Sequence, residues 1–238
     1  MQRRVLTLGL IGALTLGLAV MAAETEAPAK KKRTGERALT GGKARWTRLF
    51  NKEMKDLKGW EKVGAAQWTI EKGVLIGRQG PQGEDGELLT VREFDNFELV
   101  VVYKVVWPAN TGVWFRYQKP DLAYQADILE YKDPEAYSGS VYAPGVKELF
   151  LARNLNKELE KKDDWNKLRV VAVGNRIRVF LNKKMVANFT NDRVDRGKIG
   201  FQVHRGDEFK NMAIMVKEAR LRPVDPAKLK LLKSAPKP

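Results

Sequence analysis

The sequence has no cysteine and a single histidine among its 238 residues. Without cysteine there can be no disulfide bond, no cysteine–zinc site and no thiol nucleophile. The folded part must therefore be held by its hydrophobic core, and a chain of this length can bury an adequate one. Beyond residues 5–20, no stretch is long and apolar enough to span a bilayer.

The N-terminal residues resemble a secretory signal. Arg3 and Arg4 precede an apolar run over residues 5–20, and the small residues Ala22 and Ala23 follow it. We expect residues 1–22 to be a signal peptide and the protein to be periplasmic or secreted. An uncleaved membrane anchor is the alternative, since the apolar run is long.

The formal net charge of +15 is concentrated near the two ends of the chain. Residues 23–45 hold seven basic and three acidic residues, and residues 220–238 hold six basic and one acidic. We predict a basic flexible linker at 23–45 and a basic C-terminal tail at 222–238, which could contact anionic cell-envelope polymers or a membrane surface. No nucleic-acid motif is present, so specific nucleic-acid binding is not expected.

Residues 46–221 carry a pattern of period two. Short alternating or β-branched runs are separated by glycine, proline and asparagine, and hairpin turns are indicated at 71–73 and 174–175. The helical candidates at 51–57 and 154–162 are short and weak. About a dozen strands of this kind predict an all-β, concanavalin-like jelly-roll β-sandwich of two antiparallel sheets.

Three of the predicted strands, at 113–117, 124–128 and 201–204, carry polar residues at alternate positions. Side chains alternate across a strand, so each segment offers one face to the core and one to solvent or a ligand. If the strands are neighbours, the second face joins six residues: Trp114, Arg116, Gln125, Asp127, Gln202 and His204. An indole, a guanidinium, a carboxylate, two amides and an imidazole together suit a sugar.

The chemistry of these side chains assigns their candidate roles. His204 is the first candidate for a catalytic base, because histidine exchanges protons near neutral pH. Asp127 and Arg116 could form a plain cross-strand ion pair, or Asp127 could be the base while Arg116 steadies an oxyanion. Trp114 could pack under a loop or stack on a sugar, and the two glutamines would orient the ligand. His204 with Asp127 is too sparse a ligand set to predict a metal, so no cofactor is expected.

A series of short motifs in fixed order over 46–221 resembles the 3-keto-disaccharide hydrolase domain family: Trp46-Thr47-Arg48-Leu49-Phe50-Asn51, Leu57-Lys58-Gly59-Trp60-Glu61, Phe94-Asp95-Asn96-Phe97-Glu98-Leu99, Asn110-Thr111-Gly112-Val113-Trp114-Phe115-Arg116, Tyr124-Gln125-Ala126-Asp127-Ile128 and Gly200-Phe201-Gln202-Val203-His204-Arg205-Gly206. The resemblance implies a concanavalin-like jelly roll. It also implies activity on 3-keto glycosides and includes Asn110 among the substrate-binding residues. Many relatives carry glutamate where this chain has Gln125.

The implied activity fits the residues. Ordinary glycoside hydrolysis uses two carboxylates, and only Asp127 is placed on the polar face. A 3-keto sugar needs one base, because the ketone acidifies the C2 proton and the glycosidic oxygen then leaves by elimination before water adds. We therefore predict an exported hydrolase or lyase acting on 3-keto glycosides. The alternatives are a non-catalytic carbohydrate-binding module and a structural cell-envelope protein.

Overall fold

The computed structural model describes residues 44–227. The predicted signal peptide at 1–22 lies outside this range, as do most of the predicted linker at 23–45 and much of the predicted tail at 222–238. Within 44–227, no helix has the length and hydrophobicity of a bilayer-spanning segment.

Within residues 44–227, fifteen strands form two antiparallel sheets, which confirms the predicted all-β sandwich. Sheet A contains, in spatial order, β13 (Lys184–Thr190), β12 (Arg176–Leu181), β11 (Asn166–Val173), β6 (Phe97–Val106), β15 (Ala213–Pro223), β4 (Val74–Arg78) and β3 (Gln67–Glu71), with β1 (Thr47–Phe50) also paired to β15. Sheet B contains β10 (Phe150–Asn154), β9 (Glu135–Tyr142), β8 (Leu122–Lys132), β7 (Asn110–Lys119), β14 (Gly197–Val203), β5 (Gly86–Phe94) and β2 (Trp60–Gly64).

The core lies between the two sheets and is built from alternate residues of their strands. In β6 the buried inward residues are Phe97, Leu99, Val101, Tyr103 and Val105. The same alternation in the neighbouring strands leaves the second face of each sheet pointing away from the core. Each sheet therefore has an outer face on which polar side chains can be placed, because these side chains do not pack in the core.

The predicted hairpins form, and their turns show why the sequence specifies them. Lys72 and Gly73, between β3 and β4, have φ angles of 50° and 77°. Positive φ at both turn residues matches the twist of the flanking strands, and glycine adopts it without steric cost. The helical candidates form no α-helix: 51–57 is turn and coil, and 154–162 contains only a 3₁₀ turn at Lys157–Leu159.

Candidate functional site

The three polar strands are neighbours in sheet B, in the order β8–β7–β14. Their register places Asp127 opposite Gly112, and Gly112 opposite Gln202, in one row across the sheet. The next row places Gln125 opposite Trp114. These side chains lie on the face that points away from the core, here called the sheet B outer face. Four of the six residues predicted to share one face, Trp114, Gln125, Asp127 and Gln202, are therefore brought together.

Asp127 is the least satisfied charged group on this face. Its side chain is buried, with 2% exposure, and it makes no hydrogen bond or ion pair with any residue in the described range. Burial raises the pKa of Asp127 well above the usual value of an aspartate. The charge of Asp127 in turn contributes, after burial, to a raised pKa of Tyr142 on β9. A raised pKa makes the carboxylate a stronger base, so Asp127 is a candidate proton acceptor.

The two glutamines lie beside Asp127 and are joined by a hydrogen bond. The Gln125 amide Nε2 donates to Gln202 Oε1 over 3.0 Å. The Gln125 side chain passes over Gly112, where an added Cβ would stand 2.6 Å from Gln125 Cγ. Because Gln202 accepts through its oxygen, both N–H groups of its amide remain available to a ligand.

Trp114 sits beside the glutamines but its ring is covered. The indole packs edge-on against Tyr117, with centroids 5.5 Å apart, and is tilted against Tyr142 at 6.3 Å. Only 4% of the residue is exposed, so the predicted stacking of a sugar on the ring has little surface to use. The buried indole Nε1–H has no hydrogen-bond partner in residues 44–227. Trp114 therefore provides no open platform for a sugar ring, and its indole N–H is a buried donor without a partner in the described residues.

His204 lies one residue beyond the end of β14, at the margin of the sheet B outer face. Its ring packs edge-on against Phe209, with centroids 5.9 Å apart, and Nδ1 is 2.6 Å from the carbonyl oxygen of Arg205. A carbonyl only accepts, so Nδ1 carries the proton and Nε2 is left as the basic nitrogen. Two strand spacings and two residues separate His204 from Asp127, about 12 Å between Cα atoms.

Arg116 does not join the outer face, and this part of the sequence prediction is wrong. Its φ angle is 50°, and the pairing of β7 with both neighbours shifts register around it. The guanidinium therefore turns inward, with 0% exposure, and donates to the carbonyl of Asp95 through Nε and Nη2 and to that of Val194 through Nη1. Arg116 joins two loops, and no ion pair links it to Asp127.

Asn110 begins β7 and lies beyond the row that holds Asp127. Its half-buried side chain is near the strand end that also carries His204, because Thr111 pairs with Val203. The backbone N–H of Asn110 contacts the sulfur of Met212 at 3.2 Å. The structure thus places Asn110 at the margin of the site.

The sequence reasoning missed several residues of this face. Glu87 on β5 lies opposite Gln202, and burial, followed by the charge of Asp85, raises its pKa. Glu61 on β2 lies opposite Leu89 and is bound by Lys198 of β14. The sequence did not reveal that Glu87 faces outward, because β5 contains the segment Glu-Leu-Leu-Thr, in which apolar residues occur on both faces and polar alternation is absent.

Asp127 and Glu87 do not form the carboxylate pair of an ordinary glycosidase. They are the ends of a four-residue row, so three strand spacings, about 14 Å, separate their Cα atoms. Side chains stand roughly perpendicular to a sheet, which keeps the carboxyls similarly far apart. Paired catalytic carboxylates lie about 5–9.5 Å apart. Within residues 44–227 there is also no group of three or more histidine, aspartate or glutamate side chains placed to hold a metal ion.

Sequence comparison identifies the domain. The family model of the 3-keto-alpha-glucoside-1,2-lyase-like domain matches residues 45–215. The chain belongs to this family. No curated protein matches the chain in sequence. Its membership confirms the resemblance that the ordered motifs indicated.

Solved structures show the same fold at low identity. A protein named "Putative glycosyl hydrolase" from Parabacteroides distasonis ATCC 8503 aligns over 75% of this chain and 99% of its own, with 20% identity and a TM-score of 0.57. The carbohydrate recognition domain of Emp47p aligns over 74% and 93%, with 14% identity and a TM-score of 0.56. A Bacillus subtilis protein with a galectin-like fold aligns over 77% and 97%, with 12% identity and a TM-score of 0.52. The lyase-like domain thus has the jelly roll shared by these proteins.

Proposed function

We propose that this lyase-like domain cleaves 3-keto glycosides on the sheet B outer face, with Asp127 as the base. The observation that carries the proposal is the buried Asp127 carboxyl without an ion-pair partner, because desolvation raises its pKa and hence its basicity. This ranks Asp127 above His204, the reverse of the order drawn from the sequence. That order assumed a guanidinium beside Asp127, whereas Arg116 binds carbonyls on the inner side.

A single base is enough for the proposed reaction. Asp127 accepts the C2 proton, and the electron pair of the C2–H bond forms the C2=C3 bond of an enolate. When the C3 carbonyl re-forms, this pair makes a C1=C2 bond and the C1–O bond breaks. The leaving oxygen takes a proton from the Asp127 carboxyl or from water. Water then adds across C1=C2 to give the free 3-keto sugar, so the overall change is hydrolysis.

The enolate oxygen needs hydrogen-bond donors that are already in place. Two donors without a partner in the described residues are candidates: the amide N–H groups of Gln202, in the same row as Asp127, and the indole N–H of Trp114, in the next row. Gln202 is only half-buried, so it forms the open side of the site. Gln125 positions Gln202 by donating to its carbonyl oxygen. These groups would hold the ketone oxygen as its charge grows.

The decisive experiment compares a 3-keto disaccharide with its unoxidised parent, using the purified full-length chain. We expect monosaccharide release from the keto form alone, and its loss in Asp127→Asn. Asp163→Asn is the matched control, because Asp163 is exposed and lies in the loop before β11 of sheet A. Equal activity of Asp127→Asn and wild type would show that the base lies elsewhere. No release from either sugar would refute catalysis.

A non-catalytic carbohydrate-binding role is the second candidate. Gln125 favours it, since many relatives carry a proton-exchanging glutamate at that position and an amide does not titrate. Binding of both the keto and the parent sugar without turnover would support this role. Binding of neither, with retention on anionic envelope polymers, would favour a structural role instead.

We also propose that the protein is exported, on the basis of the signal-like residues 1–22. Cell fractionation with an N-terminal sequence of the mature protein tests this. Recovery of the intact chain in the cytoplasm would contradict it.

A further inference from the structure

The outer face of sheet A, on the opposite side of the sandwich, has a different composition from that of sheet B. Two of its carboxylates are occupied by arginines: Glu98 binds Arg169 and Arg222, and Glu218 binds Arg220, whereas Glu71 of β3 accepts only from Thr69 within the described residues. Further cations on the same face form no ion pair in residues 44–227: Arg78, Lys104, Lys167, Arg176, Arg178 and Lys217, although the charge of Lys217 contributes to lowering the pKa of Asp164. The face therefore carries a net positive charge that the protein itself does not neutralise.

Three arginines lie close together at the β11–β12 end of this face. Arg178 is flanked by Arg176, two residues away on the same face of β12, about 7 Å along the strand. Burial, then the charges of Arg176 and Arg169, lowers the pKa of Arg178. Arg176 donates to Asn188 of β13. Like charges held this close repel, and an external anion would relieve the repulsion.

Aromatic residues hold other cations of the face in place. The Trp165 ring lies 4.4 Å from Lys217 Nζ and 5.8 Å from Lys104 Nζ. The Trp46 ring lies 4.5 Å from the guanidinium carbon of Arg222. Cations stacked on rings and carried on paired strands keep fixed spacings, so a partner meets a preformed array.

We propose that the outer face of sheet A binds an acidic polysaccharide, which leaves the sheet B outer face open on the far side. A linear chain of carboxylates can contact many fixed cations at once, and arginine pairs with carboxylate through two parallel hydrogen bonds. A bilayer is a poorer match, because the large exposed apolar residues of this face in the described range are Val106 and Met185, which are on strands at different places in the sheet. Stable interfacial binding needs a contiguous apolar surface. The proposal does not depend on the proposed catalytic activity.

The test measures binding of the full-length protein to polygalacturonate at low salt. The face variant combines Lys167→Gln, Arg176→Gln, Arg178→Gln and Lys217→Gln. The matched control removes the same four charges outside the sandwich, by Lys30→Gln, Lys31→Gln, Lys32→Gln and Arg33→Gln. We expect the face variant to bind at least about tenfold more weakly, since several exposed charge contacts are lost, and the control to lose much less. A larger loss in the control would overturn the proposal, because the N-terminal basic run would then carry the binding.

Two further measurements guard against misfolding and against the wrong partner. In the wild-type protein, bound polygalacturonate should protect Lys167 and Lys217 from acetylation. Lys119 and Lys132, at the ends of sheet B strands, should not be protected. Equal labelling of all four lysines would contradict the proposal. Tighter binding to phosphatidylglycerol vesicles or to duplex DNA than to polygalacturonate would also overturn it.

Discussion

Two ionisable side chains of sheet B, Arg116 and Asp127, are both buried but differ in their hydrogen-bond partners. Arg116 has 0% exposure and its guanidinium donates three hydrogen bonds to the carbonyls of Asp95 and Val194. Asp127 has 2% exposure and no hydrogen bond or ion pair within the described residues. Arg116 points to the inner side of its sheet, and Asp127 to the outer side.

The difference separates a structural charge from a functional one. Buried polar groups in proteins are normally satisfied, so Arg116 follows the rule and contributes to stability by joining two loops. Asp127 departs from the rule, and an unsatisfied buried carboxyl is costly unless a ligand or a reaction uses it. Variants at each position should therefore affect different properties, stability at Arg116 and turnover at Asp127.

The largest effect should come from Arg116→Met. This change leaves the buried carbonyl of Val194 and the partly buried carbonyl of Asp95 without their charged donor, and we expect the free energy of unfolding to fall by about 3–5 kcal/mol. Chemical denaturation measures it. Arg153→Met is the control, since Arg153 is exposed and donates to one carbonyl. A loss below about 1 kcal/mol would mean that water replaces the guanidinium readily.

Asp127→Asn should show the reverse pattern, with turnover of a 3-keto disaccharide lowered at least about 100-fold. Stability should be unchanged or higher, because a buried ionisable group is replaced by a neutral one. Since the base acts in its ionised form, the wild-type rate should rise with pH as the Asp127 carboxyl loses its proton. A rate that falls over that range would assign Asp127 the role of an acid.

Glu160 is intermediate between Arg116 and Asp127, because it is largely buried and accepts hydrogen bonds but still has a raised pKa. The pH dependence of stability therefore tests the comparison. Glu160 borders a cleft of about 920 Å³ at one end of the sandwich and accepts from Tyr103 at 2.6 Å and from Asn166 at 2.9 Å. Burial nevertheless raises the pKa of Glu160 from 4.5 to about 7. Between these values the folded state binds a proton that the unfolded state has lost, so stability should fall by about 3 kcal/mol as pH rises through this window.

Unfolding free energies at pH 5 and pH 8 measure the Glu160 effect. Glu160→Gln should flatten the pH dependence, whereas Glu158→Gln, an exposed neighbour, should leave it unchanged. An unaltered slope in Glu160→Gln would assign the pH dependence to other buried groups, with Asp127 the first to examine.

Trp114→Phe should have a smaller effect on turnover, about tenfold on kcat with little change in KM. The substitution keeps the aromatic packing against Tyr117 and removes the unpartnered N–H. Steady-state kinetics distinguishes the two roles, with Trp165→Phe as the control. An increase in KM with unchanged kcat would restore the stacking role that the sequence suggested.

His204→Gln should have the smallest effect, less than about fivefold, because an uninvolved group at the site margin contributes no proton transfer. Gln202→Ala, which removes a donor beside Asp127, gives the comparison within the same strand. A 100-fold loss in His204→Gln, with a changed pH–rate profile, would make His204 the base after all.

The sequence predicted the sandwich well because alternation is a local property. β6 over Phe97–Val106 and the hairpin of β11 and β12 follow directly from β-branched runs and a glycine turn. The predicted polar face required β8, β7 and β14 to be neighbours, which the parity of their polar residues suggested, and the structure has them in this order.

The orientation of Arg116 could not be predicted, because its left-handed conformation breaks the alternation at this residue, so that Arg116 turns inward and Tyr117 joins the outer face. Simple alternation assigned Arg116 and Trp114 to one face, whereas the irregular backbone pairs Trp114 with Tyr117 instead. The burial of Asp127 was equally hidden, since it depends on side chains from neighbouring strands. Alternation in the sequence therefore predicted which face holds the candidate site, but it could not decide whether His204 or Asp127 is the better candidate base.

Gly112 shows how a residue without a side chain can shape a binding surface. It occupies the position between Asp127 and Gln202, and the Gln125 side chain lies over it. Any larger residue would displace Gln125 and, through the amide pair, Gln202. A single added carbon at position 112 would thus reshape the ligand-facing surface without replacing any reactive group of the site.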